Sequence, residues 1–299
     1  PKCKNYRAWT RQIDAIEIYP QDAITDSAEA FYLMKQKGIT QVLVLGVHTN
    51  MCVLGRPFSI RQMVQQGMKV ALVRDLTDTM YNPEKAPFVS HFTGTDLVVE
   101  HIEKFWCPTI SSNQILGGKE FRFKEDKRPR VLFVAAEDAY KSRNWIPEFA
   151  LARLGKEYQS LFAFSSEARF GSLPGLNMLD SADLLVLSLR RRGVPEEEMK
   201  MLKEYISKGK PLLAIRTATH GFAPNMKLPA GYAEWKEFDK DVLGCNYQGH
   251  EVANSLTQVM PVLDQFKNIN FDKVKNEKLA SHLYKVNPLA KDAKVLLEG

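Results

Sequence analysis

Residues 41–53 read QVLVLGVHTNMCV, and the fold prediction starts from the change of pattern within them. Gln41–Leu45 is a nearly unbroken apolar run of strand length, which is typical of a parallel sheet covered on both faces. Gly46 ends this run, and the stretch Cys52–Gln66 then predicts a helix that stops at Gly67. A strand that leads directly into a helix indicates a βαβ unit.

The same alternation continues on both sides of this stretch. Upstream, Ala15–Ile18 predicts a brief strand, and Asp26-Ser27-Ala28-Glu29 has the form of a capping box that opens a helix ended by Gly38. Downstream, Lys69–Val73 predicts a strand and Thr95–Phe105 a helix. Strands and helices in this order indicate right-handed crossovers on a parallel sheet.

A polar stretch with turn residues, 116–129, interrupts the pattern and predicts a linker. A second alternation follows, with strands predicted at Val131–Ala135, Leu184–Leu187 and Pro211–Ile215 and a helix at Glu196–Lys208. The predicted fold class is therefore α/β, with two three-layer α/β/α domains on mainly parallel sheets. The first domain is expected at residues 1–115 and the second at 130–299.

Composition excludes several classes of protein. The 299 residues carry 41 basic and 35 acidic side chains, and short basic runs such as Arg190-Arg191-Arg192 are interpreted as solvated surface rather than a nucleic-acid interface. No apolar run reaches the roughly 18–20 residues of a bilayer-spanning helix. The compartment is left unknown: a soluble, cytoplasmic protein is the default, and an export signal could have preceded Pro1. The four cysteines, including Cys3, lack the spacing of a zinc ribbon, and a disulfide framework is not expected in a chain of this size.

Cys52 is the candidate nucleophile of the first half. It follows a predicted buried strand, at the start of a predicted helix, and ligands of open α/β sheets bind beyond the carboxyl ends of strands. The positive end of a helix lowers the pKa of a thiol, and its amides can hold an oxyanion. The residues alone leave two interpretations open, a reactive thiol and an inert packed one.

The segment from Gly46 to Val53 resembles the nucleophile loop of the isochorismatase-like cysteine hydrolases, which include nicotinamidases, and the resemblance extends over about residues 5–115. It implies that Cys52 attacks a carbonyl in an amide or ester, and that a cis Val47–His48 bond helps to form the oxyanion hole. Asn50 and Asp75 become candidates for the substrate pocket.

The resemblance lacks two catalytic partners. The family's Asp would lie upstream of Pro1, and the strand that carries its Lys aligns with Ile16-Glu17-Ile18, where no Lys stands. A thiol without a base and a cationic partner loses activation. The rival hypothesis is a non-catalytic binding or interaction protein that keeps the hydrolase scaffold.

In the second half, polar residues follow predicted strand ends. Glu137 follows one strand, and Arg216, Thr217 and His220 follow another, so that these side chains could converge at one sheet edge. His250 lies in a late polar loop that could reach the same edge. Glu137 with the two histidines could hold a metal, but their sequence spacing does not by itself indicate a metal site, and no cofactor is predicted.

The strand-turn of residues 216–220, the region of Trp235 and Tyr247-Gln248-Gly249-His250 resemble the trehalose-utilisation (ThuA-like) domains, which share the flavodoxin-like fold of class I glutamine amidotransferases. Arg216-Thr217-Ala218 stands where the amidotransferases have their cysteine, so glutaminase chemistry is rejected. The resemblance implies a small, carbohydrate-related ligand, and a sugar-directed activity of the second half alone is a third hypothesis. A homo-oligomer is expected.

Overall fold

A computed structural model describes residues 11–25, 27–155, 157–166, 169–251, 256–258, 260–262, 278–280 and 283–298. Cys3, Asp26 and the residue Pro1 lie outside these ranges. In the described residues, no helix has the length and apolar character needed to cross a membrane.

The first half is built on a three-stranded parallel sheet. Its elements are α1 (Glu29–Gln36), β1 (Gln41–Val47), a single π-helical turn (Thr49–Val53), α2 (Ile60–Gln65), β2 (Lys69–Asp78), α3 (His91–Phe105), β3 (Thr109–Ile110) and α4 (Asn113–Leu116). The strand order is β1-β2-β3, and Gln41 of β1 lies opposite Lys69 of β2. The predicted parallel βαβ arrangement is confirmed.

The expected burial of β1 on both faces was wrong. Val42 and Val44 pack into one hydrophobic cluster with residues of α1, α2 and α3. The alternate residues Leu43, Leu45 and Val47 face the other side of the sheet and are 49%, 56% and 63% exposed. An apolar run cannot by itself distinguish a central strand from an edge strand that is covered on one face only.

Two predicted elements upstream of β1 also differ from the structure. Ala15–Ile18 forms a turn and an extended segment rather than a strand, and Ile16 and Ile18 are largely exposed. The N-cap of α1 is Ala28, which has no side-chain oxygen to accept an amide, so the capping box does not open this helix. Gly38, with φ of +68°, follows the end of α1 as predicted.

The long helix predicted over Cys52–Gln66 is broken. The π-helical turn ends at Val53, and α2 begins only at Ile60. Pro57 explains the interruption, because proline lacks an N–H donor and disfavours helical geometry in the residue before it.

The second half contains a four-stranded parallel sheet and several short strands. Its elements are β4 (Arg130–Ala136), α5 (Ser142–Arg153), β5 (Gln159–Phe164), a 3-10 turn (Leu176–Asp180), β6 (Leu184–Leu189), β7 (Val194–Pro195), α6 (Glu196–Ser207), β8 (Leu212–Ala214), a 3-10 turn (Arg216–His220), β9 (Tyr232–Ala233), α7 (Phe238–Asp241), β10 (Gly249–His250), β11 (Leu256–Gln258), β12 (Met260–Pro261), β13 (Lys278–Ala280), β14 (Tyr284–Lys285) and β15 (Leu297–Glu298). The strand order of the large sheet is β5-β4-β6-β8, and the short strands pair antiparallel as β7–β9, β10–β14, β11–β13 and β12–β15.

Helices cover both faces of the four-stranded sheet. Along β4, Phe133 belongs to a cluster with Ile146 of α5, and Val134 belongs to a second cluster with Leu202 of α6. The alternation of these neighbours follows the two-residue period of a strand. The fold is therefore mixed α/β with mainly parallel sheets flanked by helices, as the sequence predicted.

The predicted linker makes specific contacts with both halves. The amide of Phe121 donates to Asp75 of β2 at 2.9 Å, and Arg130 of β4 pairs with Glu120 at 3.1 Å. Arg128 pairs with Asp126 at 2.8 Å and with Asp96 of α3 at 3.0 Å. This segment thus packs as part of the fold, and the division at residues 116–129 stays a prediction.

Candidate functional site

Cys52 lies in the π-helical turn after β1, and its side chain is half-buried. The turn is attached to the neighbouring strand by two buried threonines. The hydroxyls of Thr49 and Thr77 lie 2.6 Å apart, and Thr77 donates to the carbonyl of Gly46 at 2.8 Å. The sheet therefore positions Cys52 beyond the carboxyl end of a parallel strand, as predicted.

The two candidates for the substrate pocket, Asn50 and Asp75, both form hydrogen bonds with backbone groups. The side-chain amide of Asn50 donates to the carbonyl of Met80 at 3.1 Å and accepts its N–H at 3.0 Å. Asp75 accepts the amides of Ser112 at 2.8 Å and Phe121 at 2.9 Å. These bonds satisfy the polar groups of both side chains and shape the loops around β2.

The expected cis bond between Val47 and His48 was wrong. In the described residues the cis peptide bonds are Ala86–Pro87 and Asn287–Pro288, and the Val47–His48 bond is trans.

The other described cysteines lie in environments that oppose a thiolate. Burial is the largest influence on Cys107 and raises its pKa to about 11. Burial, with the nearby charge of Asp239, also raises the pKa of Cys245. Cys52 is therefore the natural position at which to test thiol reactivity in this chain.

A polar cluster that the sequence did not single out lies next to the start of α3. Asp78 accepts from Nε2 of His91 at 2.8 Å, and the carbonyl of Tyr81 lies 3.0 Å from Nδ1. Burial opposes the charged ring, but the bonds to Tyr81 and Asp78 outweigh it and raise the pKa of His91. With an acceptor at each nitrogen, the protonated ring can donate twice.

The second half concentrates unusual backbone at one edge of its sheet, where the carboxyl ends of β4, β6 and β8 lie. Lys141, Arg191 and Arg216 follow these three strands with φ values of +53°, +46° and +44°. The left-handed region is uncommon for residues other than glycine, and such residues concentrate at functional sites. The three loops belong to neighbouring strands and meet at this carboxyl edge.

Several predicted site residues meet there with aromatic rings, in a group that we call the aromatic–arginine cluster. Its members are Tyr140, Arg216, His220, Tyr247, His250 and Tyr284.

The contacts within the cluster are close. The ring of His220 stacks on Tyr247 with centroids 4.3 Å apart, and Tyr284 lies 5.2 Å from Tyr247. The guanidinium of Arg216 lies 4.6 Å from the ring centroid of Tyr140 and 5.3 Å from that of Tyr284, which are cation–π distances.

The electrostatics of the cluster keep His220 neutral at physiological pH. Burial, followed by the charges of Arg191 and Arg190, lowers its pKa to about 4. A neutral imidazole offers one donor and one acceptor, and the hydroxyl of Thr219 lies 3.1 Å from Nδ1. Burial is also the largest influence on Tyr284 and raises its pKa to about 12, so that its hydroxyl stays protonated.

Glu137 and Thr217 have different surroundings from the cluster residues. The carboxylate of Glu137 is buried and accepts the amides of Ala139 at 3.1 Å and Tyr140 at 2.6 Å, so it shapes the loop that carries Tyr140. Thr217 is buried under the turn. No group of three or more His, Cys, Asp or Glu side chains suited to a metal ion occurs in the described part of the chain.

Sequence reasoning missed Tyr140 and Tyr284 and treated the arginines after β6 as ordinary surface. Tyr284 reaches the cluster because β10 pairs with β14, which places His250 opposite Tyr284. A pairing between distant segments leaves no local signal, whereas three consecutive arginines directly after a buried strand were a signal that the sequence offered.

Comparison of the chain with protein-family models, with curated proteins and with solved structures found no match. The two family resemblances therefore stay predictions.

Proposed function

We propose that the protein binds a small carbohydrate-type ligand at the aromatic–arginine cluster. The observation that carries the proposal is the stack of His220 on Tyr247 with Arg216 held over Tyr140 and Tyr284, all beyond strand ends of a parallel sheet. Ligands of open α/β sheets bind at this edge. The resemblance of residues 130–299 to sugar-related domains supports the same ligand class.

The chemistry of the cluster suits a sugar. A sugar ring presents C–H groups on its faces and hydroxyls around its rim, so it needs apolar surfaces next to donors and acceptors. Tyrosine rings supply the apolar surfaces and carry a polar hydroxyl. Arg216 adds donors, and the neutral ring of His220 adds one donor and one acceptor.

Calorimetric titration with glucose and with trehalose tests this proposal. We expect Tyr247→Ala to weaken binding at least tenfold, because the stacked ring is removed, and Tyr247→Phe to retain most of the affinity. Tyr32→Ala is the matched control, since Tyr32 is an exposed tyrosine on α1. The proposal fails if no sugar, neutral or anionic, binds at millimolar concentration, or if Tyr247→Ala and Tyr32→Ala bind the sugar equally well.

A second candidate function is thiol-dependent hydrolysis of an amide or ester by Cys52. The half-buried position of Cys52 on a turn after β1 favours this function. The hydrogen bonds of Asn50 and Asp75 to backbone groups give less support to a substrate pocket beside Cys52. If Cys52 is activated, iodoacetamide at pH 7 should alkylate it faster in the folded protein than in the urea-unfolded chain. Cys107, with a pKa near 11, should react only on unfolding. Equally slow labelling of both thiols in the folded protein would remove this candidate.

A further inference from the structure

The order of strands in the four-stranded sheet defines where its binding crevice lies. The chain runs from β4 to β5 on one side of β4 and then returns to β6 on the other side. Such a reversal is a topological switch point, and it opens a crevice between the two diverging connections. Here the crevice lies between the loop after β4 and the loop after β6, next to the aromatic–arginine cluster.

The loops on the two sides of this switch point, and the residue after β8, are strongly basic. Segments 137–141, 190–192 and 216 contain five basic residues and two acidic ones. The basic residues are Lys141, Arg190, Arg191, Arg192 and Arg216.

One of the two carboxylates binds backbone amides, and the other lies at the limit of an ion pair. Glu137 directs its oxygens to the amides of Ala139 and Tyr140. Asp138 is 86% exposed and lies 3.9 Å from Arg192, at the limit of an ion pair. A cleft lined by one sign of charge attracts ligands of the opposite sign.

Two further observations concern the arginines that follow β6. Nε of Arg192 is buried and has no hydrogen-bond partner among the described protein atoms, although Nη2 donates to the carbonyl of Ala136 at 3.3 Å. Buried donors normally have a partner. Moreover, the charges of Arg191 and Arg190 help to lower the pKa of His220, so their field reaches the cluster.

We infer that the ligand is an anionic sugar, whose phosphate or carboxylate binds the basic loops after β4 and β6 while its ring contacts the aromatic–arginine cluster. This inference rests on the proposed function and narrows its ligand class. The inference also gives a reason for the left-handed backbone at Lys141, Arg191 and Arg216, because this conformation sets the course of the loops that carry these cations.

The test is calorimetric titration of the full chain with glucose, glucose 6-phosphate, glucuronate and inorganic phosphate at about 20 and 300 mM salt. We expect at least one anionic sugar to bind at least tenfold more tightly than glucose, with an advantage that shrinks at high salt because screening weakens charge attraction. The phosphate and carboxylate arms distinguish the two kinds of anion.

Arg190→Gln should weaken binding of the anionic sugar by a larger factor than binding of glucose, because the lost positive charge attracts the anion and not the neutral sugar. Lys200→Gln, the same charge change at an exposed position on α6, is the control. Arg191→Gln provides a second variant at the crevice.

The possible failures are distinguishable. Equal affinities for glucose and both anionic sugars would overturn the inference and leave the carbohydrate proposal standing. Inorganic phosphate binding as tightly as glucose 6-phosphate, with no binding of glucose, would overturn both, because the sugar ring would then contribute nothing.

Discussion

At the residue scale, His91 joins the start of α3 to the end of β2 through Asp78 and to the following loop through the carbonyl of Tyr81. Its pKa in the folded protein is raised above the ordinary value of about 6.5. The stabilisation by the protonated His91 ring is therefore fully present below the ordinary pKa of about 6.5, and it is lost as the pH rises through the pKa of the folded protein. We expect the difference in free energy of unfolding between wild type and His91→Gln to shrink as the pH rises above about 6.5. Its size should stay below about 1 kcal/mol, because the ring is one-third exposed and solvent screens the pair.

His101 supplies a control of opposite sign on the same helix. Burial, and then the charge of Arg61, lowers its pKa, so it binds protons more readily in the unfolded chain. The contribution of His101 to the free energy of unfolding should therefore increase as the pH rises. The difference between wild type and His101→Gln should thus change with pH in the opposite direction to the difference between wild type and His91→Gln. Urea unfolding of wild type and both variants at several pH values measures this. Parallel pH profiles for the two variants would contradict the assignment of His91 as the protonated partner of Asp78.

At the element scale, α3 shows what sequence patterns can and cannot fix. The predicted helix Thr95–Phe105 exists, but it begins at His91, because Ser90 caps it by accepting the amide of Thr93 at 3.1 Å. Gly94, in the first turn, resembles a helix breaker in the sequence. The structure explains it by packing, since a Cβ at this position would overlap the ring of Tyr81. Helix propensity predicts that α3 exists, whereas the close approach of Tyr81 that requires glycine at position 94 is a tertiary contact.

The cap of α3 leads to a stability prediction. Ser90→Ala should lower the free energy of unfolding by about 1 kcal/mol, because the amide of Thr93 loses its acceptor at the N-terminus of the helix. Ser207→Ala, at the last residue of α6, should change it by less than about 0.5 kcal/mol, since this serine is exposed and caps no amide. Urea unfolding monitored by circular dichroism measures both. A loss from Ser207→Ala as large as that from Ser90→Ala would show that the cap is not the cause.

At the scale of the whole molecule, the parallel sheets and the loops that follow their strands could be predicted, because apolar runs and turn residues are local signals. Arg216, His220 and His250 were accordingly placed at one edge from the sequence. Tyr284 was not, because its position depends on an antiparallel pair between segments far apart in the chain. The bare face of β1 was missed for a related reason, since the sequence does not reveal how many strands lie beside it.

The contact between the two halves provides the last prediction, and it concerns whether they unfold together. Arg128 is almost fully buried and donates to Asp126 and to Asp96 on α3, and Asp96 also accepts from Gln159 of β5 at 3.2 Å. Arg128→Leu removes the cation paired with Asp96 and leaves Asp126 with its longer pair to Arg122 at 3.4 Å, which should lower the free energy of unfolding by about 3–5 kcal/mol. Arg169→Leu, which breaks an exposed pair with Glu197, should cost less than about 1 kcal/mol.

Hydrogen exchange locates the effect of Arg128→Leu. The first sheet has the smaller buried cluster and one uncovered face at β1, so fewer apolar contacts hold it closed once the contact with the second half is weakened. Peptides from β1–β3 should therefore gain exchange by a larger factor than peptides from β4–β8. An equal gain in both sheets would mean that they open as one cooperative unit, and the domain division predicted at residues 116–129 would then be wrong.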